Sequence, residues 1–258
     1  MQTNSTYTKI IENLTFLKNR ESLDVIDGTL DKVNTDNLSF IDGFLYFTEQ
    51  QMERKKANLI THSIKTAGFP TPKNLAEFDF DYQPSINKEQ IYDFNSLRFI
   101  EKKENIVFYG NSGVGKTHLA TAIGMTAAQN RYSTYFIKCS ALMDSLNKAH
   151  TEGRLTERIK KLSGYKLLII DELGYLPITK EESKMFFQLI DKRYESKSTI
   201  VTTNINFSQW DEMFGDPLIA NAIIDRMLHH ATIVKIKGKS YRLANFYRDL
   251  EDEASESG

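Results

Sequence analysis

The sequence has little cysteine, almost no net charge and no long apolar run, and each shortage excludes a class of protein. A single cysteine, Cys139, cannot form an intrachain disulfide framework and is typical of a reducing compartment. The 33 basic and 34 acidic residues give a net charge of −1, so no overall field steers the chain to nucleic acid or to a membrane. No apolar run approaches the roughly 20 residues of a membrane helix, and the N-terminal segment does not resemble a signal peptide. We therefore expect a cytoplasmic globular protein with no membrane partner.

Proline is also scarce, and its distribution divides the chain. Three of the five prolines fall within residues 69–85, and none falls within residues 1–67. Apolar residues before the prolines recur every three or four positions, which indicates helices, whereas the proline-rich segment is typical of an extended linker. We predict a helical N-terminal domain over residues 1–68 and a second domain, including the linker, over residues 69–248. The acidic and polar residues 249–258 are predicted to be a disordered tail.

Beyond the linker, the pattern of apolar residues changes. Short apolar or β-branched runs are separated by longer amphipathic stretches, and these runs occupy residues 105–110, 133–139, 166–172 and 198–204. Nearly continuous apolar strands that alternate with helices indicate a parallel sheet covered on both faces. The predicted fold class is therefore α/β, a parallel sheet flanked by helices and preceded by a small helical domain.

The first of these runs leads into a glycine-rich loop that matches the phosphate-binding pattern G-x-x-x-x-G-K-[ST]. Glycines let backbone N–H groups point inward around a phosphate, and the helix that follows directs the positive end of its dipole to the same place. Lys116 can neutralise the β- and γ-phosphates of a nucleotide, and the Thr117 hydroxyl can bind magnesium. A chance match is disfavoured because the loop lies between a strand and a helix. The predicted nucleotide-binding residues are Gly110, Asn111, Ser112, Gly113, Val114, Gly115, Lys116, Thr117 and His118.

Polar side chains also follow two later strands of the predicted sheet. Asp171 and Glu172 end the run LLIIDE, at the strand edge where ligands of open α/β sheets bind. Asp171 can hold magnesium, and Glu172 can polarise an attacking water molecule. Asn204 ends the next run and can hold that water in line with the γ-phosphate. An acidic or amide residue at a strand end is otherwise a common turn former, so the order of the three elements carries the prediction.

Further segments of the chain carry a family resemblance: AGFPTPKNLAEFDFDYQPSIN, LRFIEKKENIVFYGNSGVGKTHLATAIG, LLIIDELGYLP, TTNINFSQW, IIDRMLHHA and GKSYRL. They resemble the AAA+ P-loop ATPases of the IstB type, the helper ATPases of insertion-sequence transposition, whose relatives include the DnaC/DnaI-type helicase loaders. The resemblance implies that Asn204 is the sensor-1 residue, that Arg226 is an arginine finger reaching a neighbouring subunit, and that Arg242 is the sensor-2 arginine. It also implies ATP and Mg²⁺ as cofactors.

The same resemblance implies an ATPase that assembles as a homo-oligomer on duplex DNA and assists a cognate transposase. A replicative helicase loader is the nearest alternative, and the ATPase half of the chain does not separate the two. A metabolic P-loop nucleotide kinase would need an acceptor site and an arginine-rich lid, which the sequence does not offer. A structural protein with a vestigial phosphate loop is disfavoured because all the hydrolytic residues are present.

Two basic clusters are candidates for the DNA surface. Arg154, Arg158 and Lys161 follow helical spacing beside an apolar stripe, so they form a basic stripe that can attract phosphates without reading sequence. The alternative is a solvated amphipathic helix, and family analogy alone favours DNA. The second cluster, residues 54–56, is Arg-Lys-Lys near the end of the N-terminal domain.

The adjacent histidines His229 and His230 receive a structural interpretation. On one helix, neighbouring residues point about 100° apart, which disfavours a shared metal ion. We also expect Cys139 to be a buried small hydrophobe.

Overall fold

The computed structural model describes residues 2–243, with the side chains of residues 5–243. The predicted acidic tail, residues 249–258, and the last residues of the predicted second domain therefore lie outside the described residues. The chain divides into two compact units after His62. The predicted domain boundary at residues 68 and 69 stays a prediction. No described helix is both long and apolar enough to cross a membrane.

The N-terminal unit is helical, as predicted. Its helices are α1 (Gln2–Phe16), α2 (Arg20–Asp36) and α3 (Phe40–Thr66), the last of which continues past His62. Helices α2 and α3 approach closely at Gly43, where an added Cβ would lie 2.7 Å from Val33 Cγ2. The Tyr7 hydroxyl donates to Asp27 across 2.6 Å and so ties α1 to α2.

The second unit alternates strands and helices. Its strands are β1 (Asn105–Gly110), β2 (Thr134–Lys138), β3 (Leu167–Leu173), β4 (Ser198–Thr203) and β5 (Ala231–Ile236). Its helices are α4 (Lys88–Asn95), α5 (Arg98–Lys102), α6 (Lys116–Gln129), α7 (Cys139–Thr151), α8 (Leu155–Gly164), α9 (Lys180–Arg193), α10 (Trp210–Phe214) and α11 (Pro217–Leu228). The four predicted strands are confirmed, and β5 is an addition that the sequence analysis did not predict.

All pairs of neighbouring strands are parallel, in the order β2-β3-β4-β1-β5. Strand β4 lies at the centre and is buried along its whole length, because helices cover both faces of the sheet. One face packs against α4, α6 and the linker, and the other packs against α7 to α11. The parallel order brings the carboxyl ends of β1, β3 and β4 to the same edge of the sheet.

A buried arginine fixes the opposite edge of the sheet. The side chain of Arg193, at the end of α9, is only 2% exposed. Its guanidinium donates to the Thr199 hydroxyl across 3.0 Å and to the carbonyl oxygens of Leu162 and Tyr165 across 3.1 and 2.9 Å. It thus joins the ends of α8 and α9 to the start of β4. Burial lowers the pKa of Arg193 to about 9.

Candidate active site

A cavity of about 570 Å³ lies at the carboxyl edge of the sheet. It brings together most of the residues that the sequence analysis selected. The predicted residues that line it are Ser112, Gly113, Gly115, Lys116, Thr117, His118, Glu172, Asn204 and Arg242. The other lining residues were not predicted from the sequence; they are Pro70, Thr71, Lys73, Glu77, Phe78, Asp79, Thr121, Tyr175, Thr202, Thr203 and Tyr241.

The glycine-rich loop between β1 and α6 requires its glycines. Gly113 and Gly115 have φ angles of 78° and 98°, in the left-handed region that side chains disfavour. A Cβ at Gly115 would lie 2.6 Å from Phe78 Cε2, and one at Gly113 would lie 2.0 Å from Ser240 Oγ. The loop is therefore enclosed between the linker and the segment after β5, and a larger residue at either position would have a strained backbone and would displace these neighbours.

Lys116 is the first residue of α6, and its ammonium group lies over the loop. Its Nζ donates to the carbonyl oxygens of Gly110 and Asn111, each across 2.7 Å. Burial lowers the pKa of Lys116; attraction to Asp171 raises it, and repulsion from Arg242 adds to the lowering. Because the start of α6 faces the same cavity, the lysine and the helix dipole both favour a bound anion there.

Asp171 does not line the cavity itself but lies directly behind it. Its carboxylate is 1% exposed and accepts hydrogen bonds from the hydroxyls of Thr117 and Thr202, across 2.9 and 2.6 Å. Burial raises the pKa of Asp171, and the two hydroxyls oppose that shift. The oxygens of Asp171 and Thr117 are the hard donors that magnesium prefers, so this donor set fits the ion.

Glu172, the penultimate residue of β3, has a strained backbone conformation. Its φ angle is 61°, which costs roughly 1–2 kcal/mol for a residue with a side chain, and the β3–β4 register shifts between Ile170 and Leu173. Its backbone N–H donates to the Thr202 hydroxyl across 2.9 Å. This turn points Asp171 and Glu172 to different surroundings, the first into the protein and the second to the cavity.

The Glu172 carboxylate has a partner that the sequence analysis missed. Lys138 Nζ lies 3.0 Å from Glu172 Oε2 in an ion pair whose side chains are both partly exposed. Lys138 ends β2 and is in register with Asp171 across the sheet. The sequence does contain a signal for the position of Lys138, because a polar residue at the carboxyl end of any parallel strand lies at this edge of the sheet.

A buried hydroxyl in the cavity wall also escaped the sequence analysis. Thr121, one turn beyond Thr117 on α6, is 1% exposed, and its Oγ1 has no hydrogen-bond partner among the described residues. A buried hydroxyl without a partner costs free energy unless a ligand satisfies it.

Nearby, His118 Nε2 lies 3.0 Å from the Asn74 carbonyl oxygen and so joins α6 to the linker.

Two predicted residues reach the cavity from other elements. Asn204 lies just after β4 and is exposed to the cavity. Arg242 follows Tyr241, whose backbone N–H donates to the Gly113 carbonyl oxygen across 3.0 Å. The Tyr241 ring also lies near Phe78 of the linker, with ring centroids 6.2 Å apart. The segment that carries Arg242 is thus attached to the phosphate loop itself.

Arg226 does not line the cavity of its own chain. It lies on α11, where its Nε donates to Asp191 of α9 across 2.6 Å. Its guanidinium carbon also lies 4.8 Å from the centre of the Phe187 ring. Arg226 is therefore presented at the surface of α9 and α11.

The three residues of the predicted basic stripe have different surroundings in the structure. Arg154 precedes α8 and pairs with Glu152, while Lys161 is exposed on α8. Arg158 instead donates to the Ser145 hydroxyl of α7, across 3.2 Å from Nε and 3.1 Å from Nη2. Arg158 therefore holds α8 against α7, which leaves Arg154 and Lys161 as the members best placed to meet a partner.

In the N-terminal cluster, Arg54 lies 3.3 Å from Asp24 and Lys56 lies 2.8 Å from Glu53, while Lys55 is exposed.

Comparison with known proteins places this arrangement in a family. The sequence profile described as "IstB-like ATP binding protein" matches residues 22–248. A protein of insertion sequence IS232 from Bacillus thuringiensis subsp. berliner, named for ATP binding, is 52% identical over 96% of this chain and 99% of its own length. The corresponding protein of insertion sequence IS21 from Pseudomonas aeruginosa is 38% identical over 84% of this chain and 82% of its own length.

Solved structures resemble the chain at lower identity and show the fold alone. DnaI has a TM-score of 0.56 at 20% identity, over 66% of this chain and 96% of that chain. The DnaC helicase loader has a TM-score of 0.52 at 24% identity, over 67% and 98%. The replication initiator DnaA bound to AMPPCP and single-stranded DNA has a TM-score of 0.54 at 20% identity, over 72% and 56%. The predicted AAA+ fold class is confirmed.

Replacing Lys116 tests the phosphate-binding part of the cavity. We expect Lys116→Ala to lower ATP affinity at least about tenfold, because the phosphates lose a charge-assisted partner. Equilibrium titration with a fluorescent ATP analogue measures this, and Lys102→Ala, at an exposed lysine on α5, is the control. Affinity equal to the wild type in Lys116→Ala would place the phosphates elsewhere.

Proposed function

The chain belongs to the family of IstB-like ATP-binding proteins, and from this we propose that it is a magnesium-dependent ATPase that assembles on duplex DNA and assists a transposase. One observation carries the hydrolytic part of the proposal. The Asp171 carboxylate, tied to Thr117 and Thr202, lies directly behind a cavity that Glu172 and the phosphate loop both line. These are the groups that phosphoryl transfer to water requires.

Each residue of this chain would have a separate task in hydrolysis. Lys116 would neutralise the β- and γ-phosphates, and Thr117 and Asp171 would hold Mg²⁺. When bound, Mg²⁺ supplies positive charge to the phosphate oxygens. Glu172 would accept a proton from the attacking water, which Asn204 would orient.

The ion pair between Lys138 and Glu172 supports a restraint on this reaction. A carboxylate that is held 3.0 Å from an ammonium group is directed to that partner instead of to a water molecule in the cavity. Lys138 is also the residue that precedes α7, the helix that Arg158 joins to α8. We propose that Lys138 restrains Glu172 until the α7–α8 region meets its partner.

Oligomerisation is supported by the position of Arg226. Its guanidinium lies outside its own cavity, partly exposed beside Asp191, where a neighbouring chain could approach it. Arginine is suited to such a role because it stays charged and can form two parallel hydrogen bonds to phosphate. We propose that Arg226 completes the nucleotide site of an adjacent subunit and that Arg242 acts within its own.

The proposed roles in binding DNA and in assisting a transposase are inferred from the relatives of this chain. Relatives at 52% and 38% identity are named for insertion sequences, which move by transposition. A helicase loader is the second candidate, and the likeness to DnaI and the DnaC helicase loader supports only the shared fold. Copurification with an insertion-sequence transposase, compared with copurification with a replicative helicase, separates the two candidates.

Glu172→Gln is expected to bind ATP normally and to hydrolyse it at least ~10²-fold more slowly, because the amide cannot accept the proton of the attacking water. Lys138→Ala should also bind ATP, but it should hydrolyse ATP faster than the wild type when no DNA is present. Phosphate release under saturating ATP measures both, with Glu157→Gln on the exposed side of α8 as the matched control. Wild-type turnover in Glu172→Gln would exclude this role, and slower turnover in Lys138→Ala would exclude the restraint.

Arg226→Ala should bind ATP and lose turnover, while Asp191→Asn, which removes the same ion pair but keeps the arginine, should retain turnover. Mixing Arg226→Ala with Lys116→Ala should restore part of the activity, since an intact phosphate loop can then face an intact arginine. Turnover of the mixture and its assembly by light scattering are the measurements. A mixture that assembles but stays inactive would contradict a role across the subunit boundary.

Assembly on DNA tests the whole proposal. Negative-stain microscopy should show ordered assemblies that require both ATP and duplex DNA. In a salt titration with labelled duplex, the double variant Arg154→Ala/Lys161→Ala should bind more weakly for every sequence. Its plot of log affinity against log salt should be shallower by up to roughly 0.9 for each DNA phosphate that the variant no longer neutralises.

Lys102→Ala is again the control, and Arg158 is left intact because its contact with Ser145 supports the fold. An unchanged slope would move the DNA surface to the N-terminal cluster of Arg54, Lys55 and Lys56. Monomers under every condition would contradict the proposed function itself.

A further inference from the structure

Three side chains that commonly bind metals meet outside the cavity, at the ends of α9 and α11. They are Glu195, His229 and His230, and one candidate ligand atom from each lies within 4.8 Å of the others. The two imidazole rings have centroids 4.0 Å apart, and His230 Nε2 lies 3.5 Å from Glu195 Oε1. All three side chains are exposed, so an ion could reach them directly from solvent.

The structure corrects the expectation that adjacent histidines diverge. That expectation assumed one continuous helix, but α11 ends at Leu228, and both histidines lie in the turn before β5. The backbone there is fixed, because the His229 N–H donates to the Asp225 carbonyl oxygen across 3.0 Å and the His230 carbonyl oxygen accepts from the Asn105 N–H across 2.8 Å. The two rings therefore face the same space.

The third ligand is positioned by the turn that ends α9. Glu195 has a φ angle of 53°, and the N–H groups of Ser196 and Lys197 both donate to the Arg193 carbonyl oxygen across 3.0 Å. Because Arg193 is buried and donates to three carbonyl oxygens and a hydroxyl, this turn is anchored to the core. Glu195, in its left-handed backbone conformation, thus directs its carboxylate to the histidine pair from a turn that is fixed to the core.

Tyr194 supplies the supporting contact that metal-binding histidines use. Its hydroxyl oxygen lies 2.6 Å from His229 Nδ1, and its ring stacks near both imidazoles, at 5.9 and 6.4 Å between centroids. When Nδ1–H donates to the Tyr194 oxygen, the Nε2 lone pair of His229 is left for a metal ion. A hydrogen bond to the second ring nitrogen is how proteins fix the tautomer and orientation of such a ligand.

We propose that Glu195, His229 and His230 form a surface site for a divalent transition-metal ion, with Zn²⁺ as the best match. Two imidazoles and one carboxylate are a donor set that zinc uses when it keeps a further position open to water. Ligand atoms about 2.0–2.1 Å from a tetrahedral zinc ion lie roughly 3.3 Å from one another. The candidate ligand atoms here lie within 4.8 Å of one another, so small rotations of the exposed side chains would bring them to that separation.

The bound ion would join the ends of two packed helices. Arg226, the proposed finger, lies one turn before His229 on α11, and its partner Asp191 lies on α9 close to Glu195. An ion held between the two ends would hold that pair of helices together. The site is independent of the nucleotide cavity, so its test requires neither ATP nor DNA.

Isothermal titration of the tag-free full chain with Zn²⁺ alone tests the site. The wild type should bind one ion per chain, and the double variant His229→Ala/His230→Ala should bind at least about tenfold more weakly. His150→Ala, at an exposed histidine on α7, is the matched control and should bind as the wild type does. Glu195→Gln should also weaken binding, and circular dichroism checks that each variant is folded.

Two further measurements distinguish this site from scattered surface binding. Bound Co²⁺ should give the intense visible absorption of four-coordinate cobalt in the wild type and in His150→Ala, but not in the double variant. Zn²⁺ should raise the unfolding temperature of the wild type and leave that of the double variant unchanged. Equal Zn²⁺ affinity in the wild type and the double variant, or a cobalt spectrum that does not depend on the two histidines, would overturn the proposal.

Discussion

The hydrogen bonds of the buried Asp171 carboxylate hold the candidate site together. One oxygen accepts from Thr117, the second residue of α6, and from Thr202 near the end of β4, while Asp171 itself belongs to β3. A carboxylate that is 1% exposed is costly to bury, and hydrogen bonds from the two hydroxyls offset part of that cost. The position of the phosphate loop relative to the sheet is therefore coupled to the buried carboxylate that we propose as a magnesium ligand.

The same threonine connects the two acidic residues to each other. Thr202 donates to Asp171 and accepts from the backbone N–H of Glu172, so one hydroxyl is satisfied in both directions. That second bond supports the left-handed conformation of Glu172, whose local cost would otherwise favour a regular strand. Strain at Glu172 is thus maintained by the neighbouring strand, which explains why β3 and β4 lose their regular register at this point.

The sequence predicted the parts of the site that a local motif contains, and it missed the parts that depend on strand order. The phosphate loop and Asp171 follow from spacing along the chain and from the rule that ligands bind at the carboxyl edge of a parallel sheet. Lys138 and Thr202 could not be assigned as the partners of Glu172 and Asp171, because the pattern of apolar runs does not say that β2 and β4 flank β3. Strand β5 was missed because it lies at an edge of the sheet and is only partly buried. The expected divergence of the two histidine rings was wrong for a related reason, since their geometry depends on where α11 ends.

The remaining constraint on the site comes from outside the sheet. Phe78 of the linker contacts the phosphate loop at Gly115, and Tyr241 binds the same loop at Gly113 while its hydroxyl donates to the Asp79 carbonyl oxygen. The linker and the segment after β5 therefore hold each other as well as the loop between them. A shift of the loop on binding phosphate would act on both segments, because Phe78 lies against Gly115 and Tyr241 is hydrogen-bonded to Gly113. Arg242 follows Tyr241 directly, so the hydrogen bond between Tyr241 and Gly113 holds the backbone of this cavity-lining arginine beside the phosphate loop.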